Sequence, residues 1–430
     1  MQSQFIDNNI VYRQHYFKLP LNYNQPEQHC IAVFAREIVT IDKLNQDLPW
    51  LVYLQGGPGF ESPRVSGNSG WLKRALKNYR VLLLDQRGTG QSSAINHQSL
   101  AHLSPSQQAH YLSHFRADNI VRDAEAIREQ LDIKQWATLG QSFGGFCTLT
   151  YLSLFPDSLS HCFITGGVPS ITRPADDVYR ATYQRVMDKN IAFFEQFPDA
   201  QTICNEIAAA LIKDQVLLPN GQRFTVEQFQ LIGINLGRGN ANMGLYTLLE
   251  NAFIDVNGSK QLSYVFLNQI QQEQSYLTNP IYALLHEQIY NQQKASNWSA
   301  QRVREQFSEF NYTSDKPFLF TGEMVYPWMF AQLVTLKPLQ EAAQLLAKKQ
   351  DWCKLYDPEV LTNNQVPIAC AVYAEDMYVE FDYSRETLAN IPHSKAWITN
   401  EYEHNGLGVD GEKILGRLIE MVEQIKHLPK

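Results

Sequence analysis

No run of about 18 apolar residues occurs in this chain, so no transmembrane helix is expected. The opening M-Q-S-Q-F-I-D-N-N-I lacks a basic n-region and an apolar h-region, so no secretory signal is expected either. Neither H-E-x-x-H nor a C-x-x-C pair is present, which removes the commonest zinc and dithiol patterns; no metal and no cofactor are expected. The six cysteines (Cys30, Cys147, Cys162, Cys204, Cys353, Cys370) are scattered and read as reduced thiols of a cytoplasmic protein. Asn257, Asn297 and Asn311 each open an N-x-S/T sequon, but without a signal these read as chance. Internal repeats and low-complexity segments are absent. So is a basic excess: a formal net charge of −8 argues against nucleic acid or an anionic membrane as partner, without identifying a substrate.

What is present is material for a large core. Hydrophobic residues make up 44% of 430 and aromatics 12%, enough for two or three domains or one α/β core carrying an insertion. The chain is organised around Trp136–Thr150, W-A-T-L-G-Q-S-F-G-G-F-C-T-L-T. This reads as an apolar strand, then Gly140-Gln141-Ser142-Phe143-Gly144, then an apolar run of helical length. G-x-S-x-G between strand and helix is the pattern of a nucleophile elbow. Its turn is so sharp that side chains two positions either side of the centre would collide, and glycine at 140 and 144 removes them. Ser142 is thereby lifted clear of the sheet at a helix N-terminus, where developing negative charge is favoured.

Upstream, residues 10–40 alternate apolar and polar around L-N-Y-N-Q-P-E-Q, predicting an antiparallel hairpin at a sheet edge. A third strand, L-P-W-L-V-Y-L-Q from 48, runs into Gly56-Gly57-Pro58-Gly59. Tyr79–Leu84 predicts another buried strand, ending in D-Q-R-G-T-G-Q-S-S, where Asp85 and Arg87 are expected to brace the loop by a salt bridge rather than touch substrate. The histidines at 97, 102, 110 and 114 do not repeat as a ligand set and read as surface residues. Asn119–Leu131 carries a helical apolar stripe, and His161–Pro169 one more strand. Strand and helix in alternation predict a mostly parallel, doubly wound sheet. From about Thr172 to Leu336 that alternation gives way to a long, helical, apolar-rich segment, expected to be a cap. Strands resume at Val366 and Ser394, before an amphipathic helix over about 410–425. The expected division is α/β core 1–172, helical cap 173–337, α/β core 338–430.

A serine hydroxyl needs a base to take its proton, and the base needs an orienting acid. In this strand–elbow–helix class the partners follow in the order Ser, Asp/Glu, His at the ends of later strands. Asp376 ends the first strand after the insertion, with Glu375 and Asp382 as rivals. His404, in E-Y-E-H-N-G-L-G, lies between the last strand and last helix and is preferred over His393. In α/β-hydrolases the loop after the third strand supplies one oxyanion donor and the residue after the nucleophile the other. That predicts the N–H groups of Gly57 (Gly56 as alternative) and Phe143.

Taken together, G-G-P-G-F, D-Q-R-G-T-G-Q-S, G-Q-S-F-G-G, A-E-D and E-H-N-G-L resemble the proline iminopeptidases (prolyl aminopeptidases) of the α/β-hydrolase superfamily. The cap segments P-I-Y-A-L-L-H-E-Q-I-Y at 280–290 and F-T-G-E-M-V-Y-P-W-M-F at 320–330 resemble those of the larger bacterial subtype. The resemblance implies an α/β-hydrolase fold with a large helical cap, and a serine exopeptidase that needs no cofactor and takes peptides with an N-terminal proline. It also sets Glu287 and Glu323 against the substrate's ammonium. Tyr326, Trp328 and Phe330 follow closely and either wall a slot for the prolyl ring or pack in the core. One departure stands out: Gln55 replaces the family's histidine in H-G-G-P-G, which is expected to alter loop bracing only. A carboxylesterase or broader aminopeptidase would share the triad and differ in the cap. The dehalogenases and epoxide hydrolases of this fold are set aside because they use Asp where Ser142 stands. A non-catalytic binding protein is set aside because no triad member is missing.

Overall fold

The computed structural model describes residues 3–65, 67–239 and 241–427. Nine strands form one sheet in the order β1-β2-β3-β5-β4-β6-β7-β10-β11. The edge is antiparallel: β1 (Gln4–Asp7), β2 (Ile10–Pro20) and β3 (Cys30–Thr40). The rest run parallel: β4 (Trp50–Leu54), β5 (Arg80–Asp85), β6 (Trp136–Gln141), β7 (Leu159–Thr165), then β10 (Ile368–Tyr373) and β11 (Ser394–Thr399). β8 (Phe253–Val256) and β9 (Ser259–Leu262) form a separate hairpin between β7 and β10.

The parallel strands sit centrally because they are apolar on both faces. In β5 and β10 every residue is buried, the burial expected of strands covered on both sides. One hydrophobic cluster fills the face that carries the helix Phe143–Leu154 and continues without a break through Phe193, Phe229, Phe318 and Phe320 of the inserted segment. The second covers the opposite face, beneath the helices Gly70–Ala75 and Gly406–Lys426.

The predicted hairpin over 10–40 is β2–β3. Its neighbour β1 was not anticipated, since all four of its residues are exposed and carry no alternating pattern. The inserted segment holds the helices Ala175–Gln196 and Pro198–Lys213 and a series of shorter ones. The β8–β9 hairpin within it was also missed, although its turn is Asn257-Gly258 with both φ values positive (53° and 81°), a strong short-range hairpin signal. The final helix starts earlier than expected, at Gly406, and is broken at Asp410 (φ −142°, ψ 55°).

Among the described residues, ion pairs tie the inserted segment, or its entry, to the loops and helix that follow β10 and β11. Arg185 meets Glu380 at 2.8 Å, Lys189 meets Glu403 at 2.7 Å, and Arg173 meets Glu386 at 2.7 Å. Asp85 and Arg87 brace the loop between them but not with one another. Asp85 is held by Arg64 and accepts from the N–H groups of Ser62 (3.2 Å) and Gln91 (2.8 Å). Arg87 is buried and pairs with Asp123. Its remaining donors go to the carbonyls of Leu21 (2.9 Å), His114 (2.8 Å) and Pro20 (3.1 Å). A guanidinium out of water is tolerable only when so fully satisfied.

Candidate active site

β6 delivers Ser142 to the C-terminal edge of the sheet in a strained backbone state, φ 54° and ψ −125°, before the helix beginning at Phe143. The neighbouring glycines are sterically required. A Cβ on Gly144 would stand 1.9 Å from the Leu54 carbonyl oxygen, and one on Gly140 would stand 2.3 Å from that of Gly144. The Ser142 N–H donates to the Thr165 carbonyl at 3.0 Å, locking the turn onto β7.

The hydroxyl meets His404, with Oγ and Nε2 2.8 Å apart. On the far side of the ring, Nδ1 lies 2.7 Å from Asp376 Oδ2. The other oxygen of Asp376 accepts from the N–H groups of Tyr378 (2.8 Å) and Val379 (3.1 Å), so the carboxylate is held at both ends. Burial opposes charge on the His404 ring, but the field of Asp376 and its hydrogen bond outweigh burial, and the imidazole pKa is raised above 6.5. This arrangement can take a proton from Ser142, stabilise the imidazolium and return the proton. The rivals lie apart from it. Glu375 is 3.9 Å from Lys189, Asp382 is 3.6 Å from Arg385, and His393 sits at the opposite edge of the sheet, its carbonyl accepting from Ile368 N–H at 2.9 Å.

A cavity of about 340 Å³ opens onto Ser142 and His404. Gly56 and Gly57 form part of its wall. A Cβ on Gly56 would meet Ser142 Cβ at 3.0 Å, and Gly57 has φ +124°, a conformation that favours glycine. Phe143 is the first residue of its helix, so its N–H has no intrahelical acceptor. Gln55 braces the same loop: its side chain accepts from the Tyr53 hydroxyl at 2.9 Å, and its carbonyl from Gln86 at 3.0 Å.

Glu323 faces the cavity, with Oε1 accepting from the Tyr282 hydroxyl at 2.5 Å and Oε2 4.0 Å from His286 Nε2. Glu287 and Tyr326 are not part of the cavity wall. Glu287 is buried and accepts from the N–H groups of Ala300 (2.8 Å) and Ser299 (3.2 Å) at the start of the helix Ser299–Arg304. Burial is the main reason its pKa is lifted to about 7. Tyr326 is also buried, bonded through its hydroxyl to Tyr183 (2.8 Å) and stacked on Trp328. Residues that motif reading did not single out complete the wall: Phe60, Ile234, Arg238, Tyr282 and Tyr378. Tyr282 lies within the P-I-Y-A-L-L-H-E segment and could have been found there. Arg238, in L-G-R-G-N, has no local signal.

Comparison with known proteins gives the family. Residues 49–301 match the α/β hydrolase fold family. The chain is 59% identical over 419 residues to a proline iminopeptidase of Aeromonas sobria, covering 97% of this chain and 98% of that one. It is 34% identical over 418 residues to the proline iminopeptidase aneH of Aspergillus aculeatus, covering 95% and 92%.

Proposed function

The chain belongs to the proline iminopeptidases of the α/β-hydrolase fold and is a serine hydrolase acting on peptides; we propose that it removes an N-terminal proline with Ser142 as nucleophile, His404 as base and Asp376 as orienting acid. The observation that carries this reading is the continuous hydrogen-bonded path from Ser142 Oγ through His404 to Asp376, opening on a cavity that also presents Glu323.

Ser142 attacks the prolyl carbonyl while His404 Nε2 takes its proton. Asp376 holds the ring by its Nδ1–H and stabilises the imidazolium. The N–H groups of Gly57 and Phe143 receive the oxyanion, each such donor being worth about 3–4 kcal/mol of barrier. His404 returns the proton to the leaving amine, and water then cleaves the prolyl-enzyme by the same steps. Glu323 takes the substrate's ammonium, because a cation leaving water needs a fixed carboxylate. Glu287 plays a structural part, fixing the N–H groups of Ser299 and Ala300 inside the cap. Tyr326 supports the cap from within its core. Free thiols at all six cysteines, and no helix among the described residues long and apolar enough to cross a membrane, accord with a cytoplasmic protein.

The test is a panel of aminoacyl-naphthylamides that includes free and N-acetylated proline. Prolyl-naphthylamide should be the preferred substrate, and blocking its nitrogen should abolish turnover. Equal hydrolysis of the blocked compound, or of alanyl and leucyl analogues, would refute the assignment.

A further inference from the structure

The same cavity holds a second fixed charge, of the wrong sign for an ammonium. Arg238 follows the short helix Leu231–Gly237 and reaches the wall that also carries Glu323, Ser142 and His404. Among the described residues its guanidinium makes a single side-chain hydrogen bond, from Nη1 to Asn235 Oδ1 at 3.2 Å. No carboxylate lies within ion-pair distance of it among the described residues, so Glu323 does not neutralise it. Arg238 would repel a substrate's amino terminus, and among the described residues Glu323 and Glu273 act on it only through their field, with no direct ion pair.

Its backbone is nevertheless firmly placed. A Cβ on Gly237 would stand 2.4 Å from the Tyr378 ring and 2.5 Å from Met377, so this turn lies directly against the loop that carries Asp376. The Tyr378 hydroxyl donates to the Ile234 carbonyl. On the other side, Gly239 N–H donates to Glu403 at 3.3 Å, next to His404. Arg238 is thus rooted on both loops that supply the base and its acid.

A short peptide is a zwitterion, and this wall offers one carboxylate, one nucleophile and one guanidinium. We infer that Arg238 receives the free α-carboxylate of short substrates, making prolyl dipeptides and tripeptides preferred over their amidated or longer counterparts. This rests on the prolyl reading above. Two extended residues span about 7 Å, short enough for a cavity of about 340 Å³ to engage both ends. The planar fork of arginine suits a carboxylate, and a charge-assisted pair there strengthens binding. Arg238 is exposed at the cavity's edge, so longer peptides can pass beyond it without the paired carboxylate. The consequence is a preference for short peptides and no strict exclusion of long ones.

The experiment compares kcat/KM for prolylglycine and prolylglycinamide on one enzyme preparation, with prolyl-naphthylamide as the reference that has an ammonium but no carboxylate. The wild type should favour the free dipeptide by on the order of tenfold, the discrimination expected of one charged hydrogen-bonded pair. Arg238→Gln should bring the ratio close to one, and Arg238→Lys should retain part of it. A ratio is insensitive to the fraction of folded enzyme, so a less stable variant still reports. A wild-type ratio near one, or a ratio that survives Arg238→Gln, overturns the assignment while leaving the prolyl reading intact. Failure to hydrolyse prolyl-naphthylamide at all overturns the prolyl reading, and this inference with it.

Discussion

At the scale of single residues, the decisive contrast is between carboxylates in different surroundings. Asp376 accepts two backbone N–H bonds and the His404 ring, so its charge is fully used. Asp376→Asn should cost about four orders of magnitude in kcat, because the amide fails to hold the required tautomer. Glu375→Gln and Asp382→Asn should stay near wild type on the same prolyl substrate; a larger loss in Asp382→Asn would move the acid to the next helix. Glu287 is the opposite case. Its pKa lies at about 7 against an ordinary 4.5, so between those values the folded protein holds a proton that the unfolded chain releases. Stability therefore falls as pH rises through this window, and the penalty is complete above pH 7. At 1.36 kcal/mol per pH unit this is on the order of 3 kcal/mol. Glu287→Gln removes the titration, so urea unfolding should show the variant gaining on the wild type by about that amount between pH 4.5 and 7.5. A difference that does not change with pH would mean Glu287 titrates normally in its buried site.

At the scale of elements, the elbow was legible because its geometry leaves a mark on the chain: Gly140 and Gly144 are where a Cβ cannot fit. The central strands were legible because burial on both faces demands unbroken apolar runs, as in R-V-L-L-L-D. β1 was not, since a short exposed strand needs no pattern, and the β8–β9 pair left its mark only in the Asn257-Gly258 turn. Arg238 and the placement of Glu287 were equally hidden, because what each faces is decided by segments far away in the chain. The same steric reasoning makes one substitution act in opposite directions at two glycines. Gly144→Ala forces a Cβ against the Leu54 carbonyl and should cost about 3 kcal/mol or more, with loss of activity. Gly416→Ala lies inside the helix Gly406–Lys426, where the nearest heavy atom to a new Cβ is Arg74 Nε at 3.6 Å. It should raise stability by roughly 0.5–1 kcal/mol, read from the thermal midpoint, since a helix interior favours alanine over glycine. A stable, active Gly144→Ala protein would contradict the elbow geometry described above.

At the scale of the whole molecule, the inserted segment and the sheet share one hydrophobic cluster, running from Leu54 and Phe143 to Phe229 and Phe320. The two should therefore unfold together. Tryptophan fluorescence, which samples Trp136 of β6 and Trp298 and Trp328 in the insertion, should give the same midpoint as far-UV circular dichroism. Two separated transitions would show that the insertion folds as an independent unit. The pairing of β7 with β10, Cys162 opposite Ile368, has a further consequence when the chain is followed through its synthesis. Ser142 leaves the ribosome 262 residues ahead of His404. At 5–20 residues per second that interval is roughly 13 to 52 s. On the proposed assignment the chain carries through all of it a nucleophile with no base to activate it and, until β10 is made, a sheet open at β7. Translation thus sets the timing of activity, and a nascent or prematurely terminated copy stays inert towards the peptides around it.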